Sequence, residues 1–447
     1  MNPTPPPLPP PVVPTRSPVT KTSRLGCWIA AVVVIGLSFL LLLSVALPAY
    51  LQIKKRAPAT LETPGLKASP QKPPQGNALE DLPLSEEEFG RLKTFGDDLA
   101  ALLNTRQLEQ ANAFVDLAAV EARVFDGLEL PGMLEGARKG FTDSLRQTGL
   151  LTQISTGNFT CLRARERDGV PVLLMRVFPP DGGVNYLDLV VRRDGDSFKV
   201  MDIFNYMFGS YVTSEARQAM ASMLNDTSLL SRALGIPSES TKEQLLAIQK
   251  VTNRVKEGAF DEAVAAYHAL PEKSRHMRVT FIAYLQSLQM LQGKPENIRY
   301  EAEYLEALEA APGILKDATT ELLGLDVHII KKNWQGVYAA LAKVAEVVGG
   351  DPFLHVLKGN VQILEGDLDG AAESVAAAEA EEPDLLALVD LRLAVCCGRE
   401  DFPGVVKELR GLKERFGSVL LAKDLTEPQF EAFLRSPEYQ SWEAENQ

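Results

Sequence analysis

The most constraining feature of this chain is a long run without a charged side chain, from Cys27 to Leu51. At about 1.5 Å per residue, a helix of that length spans roughly 37 Å, which is more than the bilayer hydrocarbon thickness of about 30 Å. Trp28 and Tyr50 lie near its two ends, as amphipathic rings do at membrane interfaces. The run predicts a single transmembrane helix, residues 27–51, in contact with membrane lipid.

The same segment has a second interpretation, because a basic region followed by apolar residues also describes a secretory signal. Cleavage would release the rest of the chain as a secreted protein. The run exceeds the roughly 7 to 15 residues of a signal core, and Leu47–Ala49 lacks paired small residues at cleavage spacing, so an uncleaved anchor is predicted. Basic residues flank both ends, but a short N-terminal tail before a long body favours an extracytoplasmic body.

Charge separates the N-terminal part from the rest of the chain. Six of the 46 lysine and arginine residues precede residue 62 and no acidic residue does, which leaves 40 basic against 59 acidic residues in the remainder. A body with that excess of acid repels nucleic acid, so nucleic acid is excluded as a partner. Residues 1–26 are proline-rich and predict an extended tail, and residues 52–81 predict a linker.

Residues 82–213 predict helices followed by an antiparallel sheet, an α+β architecture. Ser85 and Glu88 match the helix capping box. Asp-Gly pairs recur at even spacing, beginning at 168, 181 and 194, and are typical of hairpin turns because glycine accepts a positive φ. In the third expected strand, near Asn185–Arg193, apolar and polar residues alternate, which predicts that one face of the sheet is covered by helices. The expected strands are near Ile154–Arg163, Val170–Phe178, Asn185–Arg193 and Phe198–Phe204.

This order of elements resembles the NTF2-like, or cone-like, fold. Members of that family often hold a pocket between the sheet and the helices, and the resemblance would place Tyr186, Asp202 and Tyr206 in its lining. An isomerase-type site would use Asp202 as a general base whose pKa is raised by apolar walls. The alternative is a hydrogen-bonded rim of one aspartate and two tyrosines.

Residues 243–420 contain an internal repeat, after a predicted connecting helical segment at 214–242. Gly258 and Gly366 are each followed by apolar residues at +2, +5 and +9, and Lys332 and Glu400 keep the same offsets. The last three starts, at 332, 366 and 400, are evenly spaced, and in such repeats a tight turn joins two helices. Residues 421–447 predict a C-terminal cap. Helix boundaries are predicted at Pro271, Pro312, Pro352 and Pro383.

The spacing of these starts resembles the period of the tetratricopeptide repeat, about 34 residues, so the predicted fold class is α+β followed by an all-α solenoid. In that family a concave surface binds protein segments, and its groove positions correspond to Phe353, Val356 and Asn360, which are alternatively packing residues. No metal, cofactor or nucleophile motif is present. We therefore predict a membrane-anchored scaffold or adaptor that binds a protein or peptide and is not an enzyme. Small-ligand binding or isomerase-type activity in the α+β region is the alternative.

Overall fold

The computed structural model describes residues 85–446, apart from 129–133, 155–156, 168, 180–182, 207–208, 218–240, 292–297 and 316–319. These residues form two compact units, one that ends at Leu323 and one that begins at Gly324. The predicted tail, membrane helix and linker, residues 1–26, 27–51 and 52–81, lie outside the described residues, as does most of 214–242. Within the described part, none of the helices has the length and apolar character needed to cross a membrane.

Four helices and a 3₁₀ turn open the first unit. They are α1 (Glu86–Asn104), α2 (Leu108–Asn112), α3 (Leu117–Phe125), α4 (Leu134–Thr148) and the 3₁₀ turn Leu151–Ile154. The predicted capping box begins α1, since the Ser85 N–H donates to Glu88 Oε2 at 2.9 Å and the Glu88 N–H donates to Ser85 Oγ at 3.3 Å. One side of α1 is fully buried and carries Leu92, Leu99 and Leu103.

The helices lead into a five-stranded antiparallel sheet whose strands pair in chain order, as the predicted α+β architecture requires. The strands are β1 (Asn158–Arg167), β2 (Val170–Phe178), β3 (Asn185–Asp194), β4 (Ser197–Asn205) and β5 (Ser210–Tyr211). Gly169 and Gly195, in the β1–β2 and β3–β4 turns, have φ of +76° and +62°. This is the backbone conformation that the Asp-Gly pairs predicted. The remaining pair, at 181–182, lies outside the described residues.

Two predicted details of the sheet were wrong. The first strand is β1, Asn158–Arg167, because the short turn pairs Arg167 with Val170 and thereby sets the register of the whole hairpin. Ile154 belongs to the 3₁₀ turn instead. The fifth strand, β5, was not predicted, because two residues are too few to show an alternating pattern.

Both faces of the sheet are buried along its central strands. The first face shares a hydrophobic core with α1–α4, as predicted for one face of the sheet, but the prediction that only one face is covered was wrong, because the second face is buried as well. The buried residues of the first face include Leu173, Met175, Leu187, Leu189 and Val200. On the second face, Leu174, Arg176, Tyr186 and Asp188 are at most 1 % exposed. The charged side chains of Arg176 and Asp188, on the central strands of this second face, are therefore held out of water.

The part of the first unit that follows β5 is helical in its described residues. It contains α5 (Thr241–Lys256), α6 (Phe260–His268), α7 (Glu272–Arg275), α8 (Arg278–Leu291) and α9 (Ile298–Leu315). Helix α8 is buried on nearly all sides because α5, α6 and α9 pack against it. Pro312 lies inside α9, so its predicted role as a boundary was wrong. A proline in the last turn disturbs only the end of a helix, since only three residues follow it.

Within the described residues, the second unit consists of helices joined by turns, with an irregular segment at residues 417–427. Its elements are the end of α10 (Thr320–Ile330), α11 (Trp334–Val348), α12 (Pro352–Glu365), α13 (Leu368–Glu381), α14 (Ala387–Gly398), α15 (Phe402–Phe416), the 3₁₀ turn Pro428–Phe430, α16 (Glu431–Leu434) and α17 (Pro437–Asn446). Phe430, Phe433 and Trp442 share a buried cluster with α14 and α15. The C-terminal residues thus cover the last helix pair, as a cap does.

One turn geometry recurs at the repeat positions that the sequence indicated. The four turn residues Gly258, Lys332, Gly366 and Glu400 have φ between +52° and +88°. The next residue then donates its N–H to the carbonyl five positions earlier, as Asp367 does to Gln362 at 2.8 Å. At +5 from each turn, Ala263, Val337, Ala371 and Val405 are all 0 % exposed. The predicted tight turns and their +5 packing positions are confirmed.

A shared N-cap follows the last three of these turns. Asn333, Asp367 and Asp401 accept the N–H groups of the glycines three residues later at 3.1, 2.9 and 3.0 Å. A Cβ added to Gly370 would lie 2.1 Å from Asp367 Oδ2, so a larger residue would displace this cap. Turn and cap together explain why each new helix begins at the same point in the repeat.

Two glycine substitutions test the turn geometry. Gly366→Ala adds a methyl group in open space but at a φ of +88°, so we expect the free energy of unfolding of the second unit to fall by about 1–2 kcal/mol. Gly411→Ala, within α15, adds the same group to a right-handed helix and should raise it by up to about 1 kcal/mol. Urea titration followed by tryptophan fluorescence measures the free energy of unfolding of both variants. Changes of the same sign would contradict the left-handed turn conformation at Gly366.

Candidate functional site

Polar side chains of the first unit converge on Asp188 of β3. The Tyr206 hydroxyl donates to Asp188 Oδ2 at 2.7 Å, and Arg167 Nη1 donates to the same oxygen at 3.0 Å. Arg165 Nη2 lies 3.2 and 3.1 Å from the two carboxylate oxygens and also donates to the Tyr206 hydroxyl. We call Arg165, Arg167, Asp188 and Tyr206 the Asp188 cluster.

Strand register brings these four residues together. Arg165 and Arg167 are two residues apart on β1, so their side chains leave the same face of the sheet. Asp188 is paired with Leu174 of β2 on one side and with Phe204 of β4 on the other. Tyr206 directly follows β4. The cluster therefore joins β1, β3 and the end of β4 through side chains.

Aromatic rings hold one of the two guanidinium groups in place. The Arg167 guanidinium carbon lies 3.6 Å from the centroid of the Phe204 ring. The Phe204 ring in turn contacts Tyr206 and Tyr211 edge-on, with centroids 5.2 and 5.1 Å apart. A cation over an aromatic face is attracted by the ring quadrupole, so this stack restricts the orientation of Arg167.

Burial differs between the acid and the two cations. The Asp188 side chain is 0 % exposed, whereas those of Arg165 and Arg167 are 21 % and 27 % exposed. A buried carboxylate is tolerated when cations and hydrogen bonds compensate its lost hydration, which both arginines and Tyr206 do here. Burial, together with the neighbouring Asp188 charge, raises the pKa of Tyr206 above its ordinary value. Its hydroxyl therefore stays protonated and acts as a donor at neutral pH.

The three predicted pocket residues occupy two environments. Tyr186 and Tyr206 are neighbours, with ring centroids 6.4 Å apart. Asp202 instead accepts the backbone N–H groups of Ile203 and Thr213, and its Oδ2 lies 3.4 Å from Arg123 Nη1. Burial raises the pKa of the Asp202 carboxyl even though these partners oppose the shift. Asp202 thus links β4 to α3 and to the helical turn at Thr213.

Sequence reasoning missed Arg165, Arg167 and Asp188. A signal for the arginines was available, because residues 163, 165 and 167 are all arginine and alternate along one strand. In the sequence, Asp188 is only one polar member of the alternating pattern in the third strand. Its role depends on which residues lie opposite it on the neighbouring strands, and one strand alone does not reveal that.

In the second unit, the three predicted protein-binding residues lie along one side of α12. Phe353 and Val356 are 8 % and 1 % exposed, so both are packing residues of this structure. Asn360 is half-buried, and Leu364, one turn further along, is 43 % exposed. This side of the helix is therefore open to solvent only toward its C-terminal end.

Exposed apolar side chains concentrate in the second unit. Among the described residues, the most exposed large apolar side chains are Ile330, Val347, Leu364 and Leu386, at 47 %, 38 %, 43 % and 48 %. Ile330 and Leu364 each lie two positions before the left-handed residue of a turn, Lys332 and Gly366 respectively. We call this pair the apolar row, since it occupies one position of two successive repeats.

Comparison with known proteins adds no assignment to these two regions. No protein-family model, curated protein or solved structure matches the chain. The Asp188 cluster and the apolar row are therefore the features of the described residues that indicate a function.

Asp188→Asn tests whether the cluster supports the fold. The substitution removes the negative charge that both guanidinium groups contact, so we expect the free energy of unfolding of the first unit to fall by about 3–5 kcal/mol. Asp143→Asn is the matched control, because Asp143 is 48 % exposed and its contact with Arg146 is on the surface; it should change stability by at most about 0.5 kcal/mol. Amide hydrogen exchange in β3 measures both, and equal small losses would contradict the structural role.

Proposed function

We propose that this protein is a membrane-anchored scaffold whose helical repeats bind a segment of a partner protein. The observation that carries the proposal is the apolar row, Ile330 and Leu364, exposed at equivalent positions of two repeats. Fully burying a large aliphatic side chain is worth about 1.5–3 kcal/mol, so a partner that covered both would gain substantial affinity. Asn360, on the same side of α12, supplies a polar group beside Leu364.

We assign the hairpins of the second unit to a tetratricopeptide-like solenoid. Two observations support this: left-handed turns at 332, 366 and 400, and +5 residues with no exposure. Gly359 adds a third, because a Cβ there would come within 2.5 Å of Leu391, so α12 and α14 approach closely. In such arrays each hairpin buries one side against its neighbours and leaves the other side for binding. Phe353 and Val356 would then support the binding surface from beneath.

The anchor in this proposal is the uncharged run at residues 27–51, in contact with membrane lipid. The acidic body would be on the extracytoplasmic side and would disfavour nucleic acid as a partner. A scaffold of this kind requires no cofactor and carries out no reaction. The order of helices and sheet in the first unit is compatible with an NTF2-like fold. For this unit, small-ligand binding is the alternative function. The Asp188 cluster favours one class of ligand for it.

Substitutions in the apolar row test partner binding. We expect the double variant Ile330→Asp/Leu364→Asp to bind its partner at least about tenfold more weakly, because each change removes an apolar contact and adds a charge that must lose its hydration. Ala342→Asp/Ala376→Asp is the matched control. It places the same two charges at the same interval along the chain, on exposed positions of α11 and α13.

The measurement has two stages. Proteins that co-purify with the detergent-solubilised full chain are quantified by mass spectrometry for the wild type and both double variants, and the dissociation constant of the purified partner is then determined. Selective loss in the Ile330/Leu364 variant supports the proposal. Equal affinity in all three proteins would exclude the apolar row as the binding surface.

Deletion of residues 27–51 tests the anchor. The wild type should remain in the membrane fraction after carbonate extraction, and the deletion variant should become soluble, because the uncharged run is the only one of its length in the chain. Deletion of residues 52–76 is the control of equal length and should stay membrane-bound. Soluble wild-type protein with an N-terminus near Tyr50 would show instead that the segment is a cleaved signal.

A further inference from the structure

The second face of the sheet carries an unusual number of arginines. Arg163, Arg165 and Arg167 leave the same face of β1, and Arg176 follows on β2. The pairing places Arg163 opposite Leu174 and Arg165 opposite Val172, so the cations surround a buried apolar centre. Three of these residues are on an edge strand, where charge also opposes pairing with another chain. Protection of an edge strand does not require two guanidinium groups that share one buried carboxylate.

Within the Asp188 cluster, two guanidinium groups contact one carboxylate. Asp188 contributes one negative charge, and Arg165 and Arg167 contribute two positive charges within 3.2 Å of it. The acid lies behind the cations, because its side chain is 0 % exposed while theirs are 21 % and 27 % exposed. A molecule that approaches from solvent therefore meets guanidinium groups first. Where few water molecules intervene, the electric field of the guanidinium groups acts on an anion more strongly than it would in bulk solvent.

The two guanidinium groups are also preorganised. Asp188 and Tyr206 hold Arg165, and Asp188 and the Phe204 ring hold Arg167. Guanidinium groups that are already oriented lose little conformational entropy on binding and can present paired N–H donors to a planar oxyanion. The half-buried rings of Phe204 and Tyr211 flank this position and offer an apolar or aromatic surface.

We infer that the Arg165–Arg167 face of the sheet binds a small organic anion, with a carboxylate or phosphate group on the guanidiniums and an apolar or aromatic body against Phe204 and Tyr211. The anion accepts hydrogen bonds from the partly exposed guanidinium groups of Arg165 and Arg167. Asp188 and Tyr206 are positioning residues here, since they orient the arginines and do not contact the ligand. This inference does not depend on protein binding by the repeats.

Binding of defined probes to the full-length protein in detergent tests the inference. Benzoate and phenyl phosphate carry the two anionic groups on one aromatic body, and benzamide is the uncharged counterpart of benzoate. Saturation-transfer NMR and calorimetry should show saturable binding of at least one anion and none of benzamide, after subtraction of the signal from micelles alone. Competition by inorganic phosphate would indicate that the oxyanion supplies most of the affinity, and its absence that the aromatic body is required; both agree with the site.

Variants locate the binding. Arg167→Gln should weaken binding of the anion about tenfold or more, because a charged hydrogen bond is lost. Arg167→Lys keeps the positive charge but loses the planar guanidinium group with its paired N–H donors, so it should also weaken binding. This variant provides a second test in case the glutamine variant does not fold. Arg146→Gln removes a 63 % exposed arginine of α4 and should leave affinity unchanged. Circular dichroism verifies folding of each variant. Absence of saturable anion binding to the wild type, equal binding of benzamide, or unchanged affinity in the folded Arg167 variants would overturn the inference.

Discussion

Burial of both sheet faces is the constraint on which the first unit depends. A strand covered on both sides offers no solvated face to its charged residues, so each buried charge needs partners within hydrogen-bonding distance. Asp188 obtains them from Arg165, Arg167 and Tyr206, and Asp202 obtains them from Thr213 and Arg123. Because these partners belong to other elements, the same contacts that satisfy the charges also tie β1, β3 and β4 to one another and β4 to α3.

The second unit depends on a different constraint, because its short helices must pack closely one after another along the chain. A left-handed residue ends one helix, an Asn or Asp side chain begins the next, and a fully buried residue lies five positions after the turn. Lys332 and Glu400 adopt the left-handed conformation without being glycine, at a cost of about 1–2 kcal/mol each. Close packing at Val337 and Val405 compensates for that cost.

The two candidate surfaces differ in chemistry, and the difference follows from these two constructions. In the first unit, charged groups held by a buried carboxylate stay oriented and partly exposed, which suits a small anion. In the second unit, the C-terminal ends of α10 and α12 expose Ile330 and Leu364, which suits an apolar protein segment. A chain that combines both would bind a partner and a ligand through separate groups of residues.

Local signals in the sequence determined the capping box at Ser85, the positive-φ glycines at 169 and 195 and the even spacing of the helix turns at 332, 366 and 400. Each of these signals is carried by residues within a few positions of one another, so the chain alone was sufficient. The tertiary structure decided the rest. Tyr206 was identified as a candidate, but its partner is Asp188, because strand register selects which side chains meet across the sheet. The tertiary structure also decided that Phe353 and Val356 are buried while Leu364 is exposed. Exposure depends on how neighbouring segments cover a helix and not on the residue types along it.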